Sequence, residues 1–340
     1  MELEGLVLRG RSFDPIEGRV VVDDGEIVAV EEASTDSDAI VCPAFVNAHT
    51  HIGDSIAKEA GAGLSLDDLV APPDGLKHRL LRAASTTEKV DAMHRSLRFM
   101  ERSGTAHTIE FREGGVEGVR AIREALDGLN VEATVLGRET VAAMEAGDGF
   151  GASGARDDDF EERRTATRAA DKPFGIHAGE RDSDDLSPAL DLDPTFLVHV
   201  VHPEPHHLDR IERESVPVVV CPRSNLVTGV GTPPIADLCD RTTVALGTDN
   251  VMLNSPSMFR EMEFATKVGG VPAEEVLRMA TVNGADLIGA NCGLIEPGRD
   301  AKLLVLDGDS DNLAGARDPV RAVVRRAGVD DVAEVSLGED

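Results

Sequence analysis

Between residues 41 and 247 the chain alternates short β-rich apolar runs with helical patterns, and that alternation leaves few folds open. Strands are expected at Val41–Val46, Thr105–Phe111, Val131–Leu136, around Phe150, and at Pro173–His177, Phe196–Val200, Val216–Cys221 and Thr243–Gly247. Helical spacing separates most of them. In "TTEKVDAMHRSLRFMERSG" Val90, Met93, Leu97 and Met100 recur three and four apart, with Gly104 as a stop. "EGVRAIREALDGL" and "DDDFEERRTATRAAD" behave alike. Strands joined by crossover helices pair in parallel, so eight of them predict an α/β chain closed into a (β/α)8 TIM barrel. Such a barrel commonly needs ~250 residues. The 340 residues here leave room for a second, smaller unit.

That unit is read from the two ends. "GLVLRGRSFDPIEGRVVVDDGEIVAVEE" (5–32) consists of β-rich runs broken by the hairpin signals "DPIEG" and "DDGE". "GLIEPGRDAKLLVLDG" (293–308) has the same texture, and "RDPVRAVVRRAGVDDVAEV" adds one or two more strands. The expectation is a small flanking β-domain of residues 1–40 and 293–340 beside a barrel of residues 41–292. Residues 54–84, with "APPDG", interrupt the barrel after its first strand as an irregular insertion, the position of a lid or binding loop.

The first strand runs into "NAHTH". Residues two apart on a strand share a face, so His49 and His51 aim together into the barrel mouth, where barrel enzymes keep their chemistry. One His-x-His alone is better explained by loop carbonyls. The argument is positional: "PFGIHAGE" ends a second strand with His177 and places Glu180 three residues on, "TFLVHVVH" ends a third with His199, and "TTVALGTDN" ends the eighth with Asp249. Neutral imidazoles and a carboxylate converging from separate strands suit one divalent ion such as zinc or iron. His202 competes with His199 for the sixth-strand role; His199 follows the Phe196–Val198 run more closely. His206 and His207 open a helix as solvated residues, and His94 lies on a helix face.

Composition narrows the partners. Lys plus Arg is 34 against 63 Asp plus Glu, a formal net charge of −29, which repels nucleic acid and anionic membranes. There is no Trp or Tyr to build a stacking platform. No apolar run approaches the ~20 residues of a membrane span, and "MELEGLVLRGRSFD" lacks the basic start of a signal peptide, so a cytoplasmic protein is expected. Cys42, Cys221, Cys239 and Cys292 form no CxxC pair and read as small buried hydrophobes.

With these motifs in hand, the sequence resembles the amidohydrolase superfamily, in its mononuclear deaminase-like branch. "PAFVNAHTH" is similar to the family's first-strand motif, "HAGE" to its fifth-strand H-x-x-E, "LVHVVH" to its sixth-strand histidine, "VVVCPRSNLVTG" to its seventh-strand stretch and "LGTDN" to its eighth-strand aspartate. The acidic excess with only six lysines resembles proteins of salt-loving archaea. The resemblance implies His49, His51, His177 and Asp249 as ligands of one divalent metal, zinc first and iron second. It implies Glu180 and His199, with Asp249, as the catalytic groups. The lysine that bridges two metals in many relatives has no counterpart, because no lysine occurs between Lys89 and Lys172.

The implied activity is hydrolytic deamination of an amino-substituted heterocycle (purine, pyrimidine, pterin or related ring) by a metal-activated water. The competing expectations are hydrolysis of another C–N or a C–halogen bond, and a metal-binding barrel without turnover. For a small-molecule substrate the candidate contacts are Glu110, Arg112 and Arg138 near strand ends, Asn225 with Arg223 and Ser224 in "PRSN", and His78 in "GLKHRL". Two-fold dimers are the commonest assembly, so a homodimer is the default expectation.

Overall fold

The computed structural model describes residues 1–71 and 73–338. Strands β1 (Glu2–Arg9), β2 (Asp14–Asp23) and β3 (Glu26–Glu32) form an antiparallel meander, and β4 (Ile40–Pro43) returns parallel to β1. The "DPIEG" segment expected as a turn lies inside β2; the chain turns earlier, at Gly10–Phe13. Phe13 takes a left-handed φ of 54° and is fully buried, so core packing of its ring sets the turn. Pro15 then sits near the start of a strand, where a missing N–H costs least.

The strand expected over Val41–Val46 is two strands in two sheets. Pro43 ends β4, and the chain crosses over at Ala44 to begin β5 (Phe45–His51). β5 opens a parallel sheet continued by β6 (Thr105–Arg112), β7 (Glu132–Gly137), β8 (Gly149–Ala152), β9 (Phe174–Ala178), β10 (Phe196–His199), β11 (Val218–Val220), β12 (Val244–Leu246) and the two-residue β13 (Asp249–Asn250). Helices including 86–102, 115–125, 161–170 and 205–214 connect these strands. The first starts with a Ser85/Glu88 capping box and buries Met93, Leu97 and Met100.

The order in the parallel sheet is β12-β11-β10-β9-β8-β7-β6-β5-β13. Its two edge strands, β12 and β13, are separated in the chain only by Gly247 and Thr248, so the sheet is curled and brings β12 near β5. Asn47 pins the seam: its Nδ2 donates to Thr248 Oγ1 at 2.8 Å and its Oδ1 accepts from Thr248 N–H at 3.0 Å. Gly247 is required there, because a Cβ would stand 2.7 Å from the Cβ of His49. β8, the short fourth strand, is crowded in the same way. A Cβ at Gly151 would lie 2.7 Å from the Phe111 ring, which fills the interior.

β14 (Lys302–Leu306) and β15 (Val332–Leu337) complete the first sheet, in the order β15-β14-β4-β1-β2-β3. Residues 319–325, expected as strand, form a helix. Asp318 caps it by accepting from Arg321 N–H, and Pro319 occupies its first turn. Val320, Val323 and Val324 bury against the helices 258–269 and 273–279. One apolar cluster runs from Leu8, Phe13 and Ile40 through Phe150 and Phe174 to these valines, so one side of the antiparallel sheet packs onto the α/β body, while Leu3, Val7, Val20, Ile27, Val41 and Leu303 form a cluster of the sheet's own. The insertion is ordered as a 3₁₀ turn at 52–57 and helices at 66–70 and 76–83, with a small core of Ala57, Leu69, Met252 and Leu253. Pro72 in "APPDG" lies outside the described residues. Among the described residues no helix is long and apolar enough to cross a membrane.

Candidate metal centre

Alternation along β5 builds the first half of the site. Thr50 points away from the interior, its Oγ1 donating to Glu110 Oε2 at 2.8 Å, so His49 and His51 on either side point inward. Asp249 pairs beside Thr50 and Asn250 beside His51, which brings the eighth-strand carboxylate against the first-strand imidazoles. β9 and β10 lie in register with His177 beside Val198 and His199 beside Ala178. His49, His177, His199 and Asp249 each offer an atom within 4.8 Å of the others, a group that could hold a metal ion. His51 adjoins it: its Nε2 is 3.3 Å from His177 Nε2 and 3.7 Å from Asp249 Oδ1.

The donors fit a cation. His51 directs Nδ1 to Glu113 Oε1 at 2.8 Å and His177 directs Nδ1 to the Ala152 carbonyl at 2.8 Å. Both ring protons are thereby placed on Nδ1, and two bare Nε2 lone pairs face each other at 3.3 Å, an arrangement that a positive charge between them stabilises. His49 is fully buried and neither ring nitrogen has a hydrogen-bond partner, although Nε2 lies 3.3 Å from Asp249 Oδ1. A buried polar atom left unpaired costs roughly 1–3 kcal/mol, so these orphans also call for a ligand. β8, the fourth strand, contributes only a carbonyl.

Further side chains orient this group. Glu113, 4% exposed, accepts from Lys77 Nζ at 2.6 Å and from Arg138 at 3.2 Å besides His51. Burial opposes its ionisation, but Lys77, His51 and Arg138 outweigh this and hold its carboxyl well below the usual range. Across the site, Ser224 Oγ donates to Asp249 Oδ2, and Asn225 Nδ2 lies 3.1 Å from His199 Nδ1. Both come from the short helix 222–228, whose neighbour Arg223 ties it to the helix 258–269 through Glu261. His199, Val200 and Asp249 hold left-handed φ angles of 78°, 48° and 58°, strain of the kind that gathers at functional sites. Glu180 closes the group, its Oε2 3.7 Å from His199 Nε2; burial pushes its carboxyl pKa up. We expect Glu113→Gln to weaken metal affinity ~10–100-fold, read by chelator competition, because His51 loses its anionic partner; unchanged affinity would remove Glu113 from the site.

A cavity of ≈ 80 Å³ opens over these groups, lined by His51, His177, Glu180, His199 and Asp249 with Lys77 and Arg138. It shares Arg138, Ser153 and Asp157 with an outer cavity of ≈ 430 Å³ that adds His78. Arg138 and His78 therefore stand where substrate contact was expected. Glu110, Arg112 and Asn225 do not line either cavity. The Phe111 ring packs 4.6 Å from that of His49, so alternation turns Glu110 and Arg112 to the opposite side, where both are buried. Burial pushes Glu110 up to about 7, and its Oε2 also accepts from Ile52 N–H. Asn225 faces His199 instead of the cavity. Arg223 ties its helix to Glu261 and lines neither cavity. His202 lies outside the metal group, and His94, His107 and His207 bond elsewhere. All four cysteines are free. Glu113 and Lys77 were not singled out as residues by sequence; the only signals were a carboxylate just past the second strand and the lone lysine in "GLKHRL".

Parallel strands that deliver imidazoles and a carboxylate from their C-terminal ends to one point are the layout of metal-dependent hydrolases. The chain belongs to the amidohydrolase family: the profile described as Amidohydrolase family matches residues 40–183 and 175–333. It is 35% identical, over 95% of this chain and 93% of the relative, to a protein of Methanothermobacter thermautotrophicus named as an aminohydrolase. It is 28% identical, over 88% of this chain and 82% of the relative, to the 5-methylthioadenosine/S-adenosylhomocysteine deaminase of Haloarcula marismortui. Among solved structures, the fold matches an adenosine deaminase from Xanthomonas campestris with bound zinc at a TM-score of 0.84, with 20% identity over 99% of this chain and 91% of that one.

Proposed function

We propose that the protein is a metal-dependent aminohydrolase that converts an amino-substituted heterocycle and water to the oxo compound and ammonia. The observation that carries this reading is Glu180: a mostly buried carboxyl, raised in pKa by burial, lining the cavity beside His199 and Asp249. We read the curled sheet as a closed (β/α)8 barrel in which β12 and β13 are halves of one eighth strand, and residues 1–40 with 293–340 as the flanking β-domain.

We assign His49, His51, His177 and Asp249 as the groups that would hold the ion, zinc by preference; His199, whose ring nitrogen also lies within 4.8 Å of donors from His49, His177 and Asp249, is left to act on the water. A divalent ion there supplies a water acidic enough to act as nucleophile near neutral pH. The chain's own groups do the rest. Glu180, in its acid form, donates a proton to a ring nitrogen of the substrate and so makes the amino-bearing carbon electrophilic. His199, steadied by Asn225, and Asp249, steadied by Ser224, orient the attacking water and take up its proton. Water adds to that carbon, the C–N bond breaks, and the nitrogen leaves as ammonia with the relayed proton. Lys77 and Arg138 face the same cavity and orient the ring.

Ammonia release from adenosine, guanine, 5-methylthioadenosine and S-adenosylhomocysteine tests the reading. Turnover of any of these supports it; metal-loaded protein that releases ammonia from none, while hydrolysing another C–N or a C–halogen bond, replaces it. We further read the −29 charge as an adaptation to a salty cytoplasm. At 1 M salt the screening length falls to ~3 Å, so the thermal midpoint should climb between 0.1 and 2 M KCl; a flat or falling midpoint in calorimetry would count against halophilic origin.

A further inference from the structure

Away from the cavity, the outer face of two helices is unlike the rest of the surface. Among the large apolar side chains that are exposed, Leu226, Val227, Phe264 and Val268 all lie on the helices 222–228 and 258–269, which touch each other. Phe264 and Val268 are one turn apart and share a face. On one flank the helix 319–325 and the residues on either side of it add Arg317, Arg321, Arg325 and Arg326, all exposed and lining one groove with Asp311, Asp318 and the Lys267–Glu263 pair. Among the described residues none of these four arginines has a carboxylate oxygen within 4.0 Å. That is unusual in a chain with 63 acidic residues, where surface arginines such as Arg123, Arg210 and Arg241 are paired. On the other flank, the helix 235–239 packs on 258–269 and exposes Asp237 and Asp240, which are likewise unpaired among the described residues.

We propose that this face docks a second copy of this chain about a two-fold axis. A two-fold interface must complement itself: whatever sits on one side of the axis meets what sits on the other. An apolar centre between a basic flank and an acidic flank has that property. Rotation lays Phe264 and Val268 over their counterparts and sets the arginines of each copy against Asp237 and Asp240 of the other. The apolar centre supplies affinity and the charged flanks supply register, since salt weakens the latter. The helix 222–228 carries Leu226 and Val227 toward the partner and Ser224 and Asn225 toward Asp249 and His199, so assembly also braces the segment that orients the site.

The test measures mass by light scattering, at the lowest salt that preserves the far-ultraviolet circular dichroism of the fold. The wild type should run at twice the chain mass of 36.1 kDa. Phe264→Glu should raise the dimer dissociation constant ~30-fold or more. Arg321→Glu with Arg325→Glu, and separately Asp237→Arg with Asp240→Arg, should each give folded monomers, because like charges then face each other on both flanks. Mixed together, these two variants should form a heterodimer in which both flanks are again complementary. A monomeric wild type, a dimer indifferent to Phe264→Glu, or charge-swapped variants that fail to pair on mixing overturns the proposal. Monomers that bind a polyanion such as heparin through the arginines would assign the groove to another ligand.

Discussion

Glu180→Gln is expected to lower kcat by ~10²–10⁴-fold with metal content unchanged. Glutamine keeps the size of the side chain and can still occupy the space 3.7 Å from His199 Nε2, but it has no acidic proton to give a ring nitrogen. The loss should fall on kcat and on kcat/KM together, because the proton passes to the ring nitrogen only as water adds to the neighbouring carbon. The wild type should also lose activity as pH rises through the pKa of Glu180, which burial places above the ordinary carboxyl value. Full turnover by the variant, with one metal bound per chain, would move the acid role elsewhere.

His49→Leu should separate the metal from the fold. In the wild type this imidazole is fully buried with both nitrogens unpaired, a cost that a bound ion would remove. Leucine removes that cost and keeps most of the volume. The metal-free variant should therefore unfold at no lower temperature than metal-free wild type. Added zinc at ~1,000 times its dissociation constant stabilises a binding protein by about 4 kcal/mol; it should stabilise the wild type and leave the variant unmoved, with turnover abolished. A variant that still binds zinc tightly, or an apo form that falls well below the wild type, would show that His49 is held for packing. The ring neighbours Phe111, His51 and His177, at centroid distances of 4.6–4.9 Å, make that alternative measurable.

Much of this centre is legible in one dimension, for a definite reason. A parallel strand buried on both faces reads as an apolar run, so a polar residue at its end stands out; His177, His199 and Asp249 were all visible in this way. His49 and His51 followed from the two-residue period. What failed was anything that required knowing which side of a strand faces inward. Glu110 and Arg112 lie near the same strand end as the site, yet the ring of Phe111 takes the interior position and turns both aside. Asn225 looked like a cavity residue and is a support for His199. The valines of residues 319–325 suggest β structure, but Asp318–Pro319 is a helix start, and the structure there is a helix.

Sequence by itself determined the alternating α/β plan, the acidic surface and the set of polar groups at strand ends, because these depend on local periodicity and composition. Only the tertiary structure decided that the sheet curls to bring β12 near β5, that His199 stands within the candidate metal group with His51 at its side, and that Glu113, Lys77, Ser224 and Asn225 hold these side chains from behind. Those facts depend on distances between segments as much as 200 residues apart, such as Asn47 and Thr248. Such distances are set by how side chains fill the interior of the curled sheet, which no local pattern encodes.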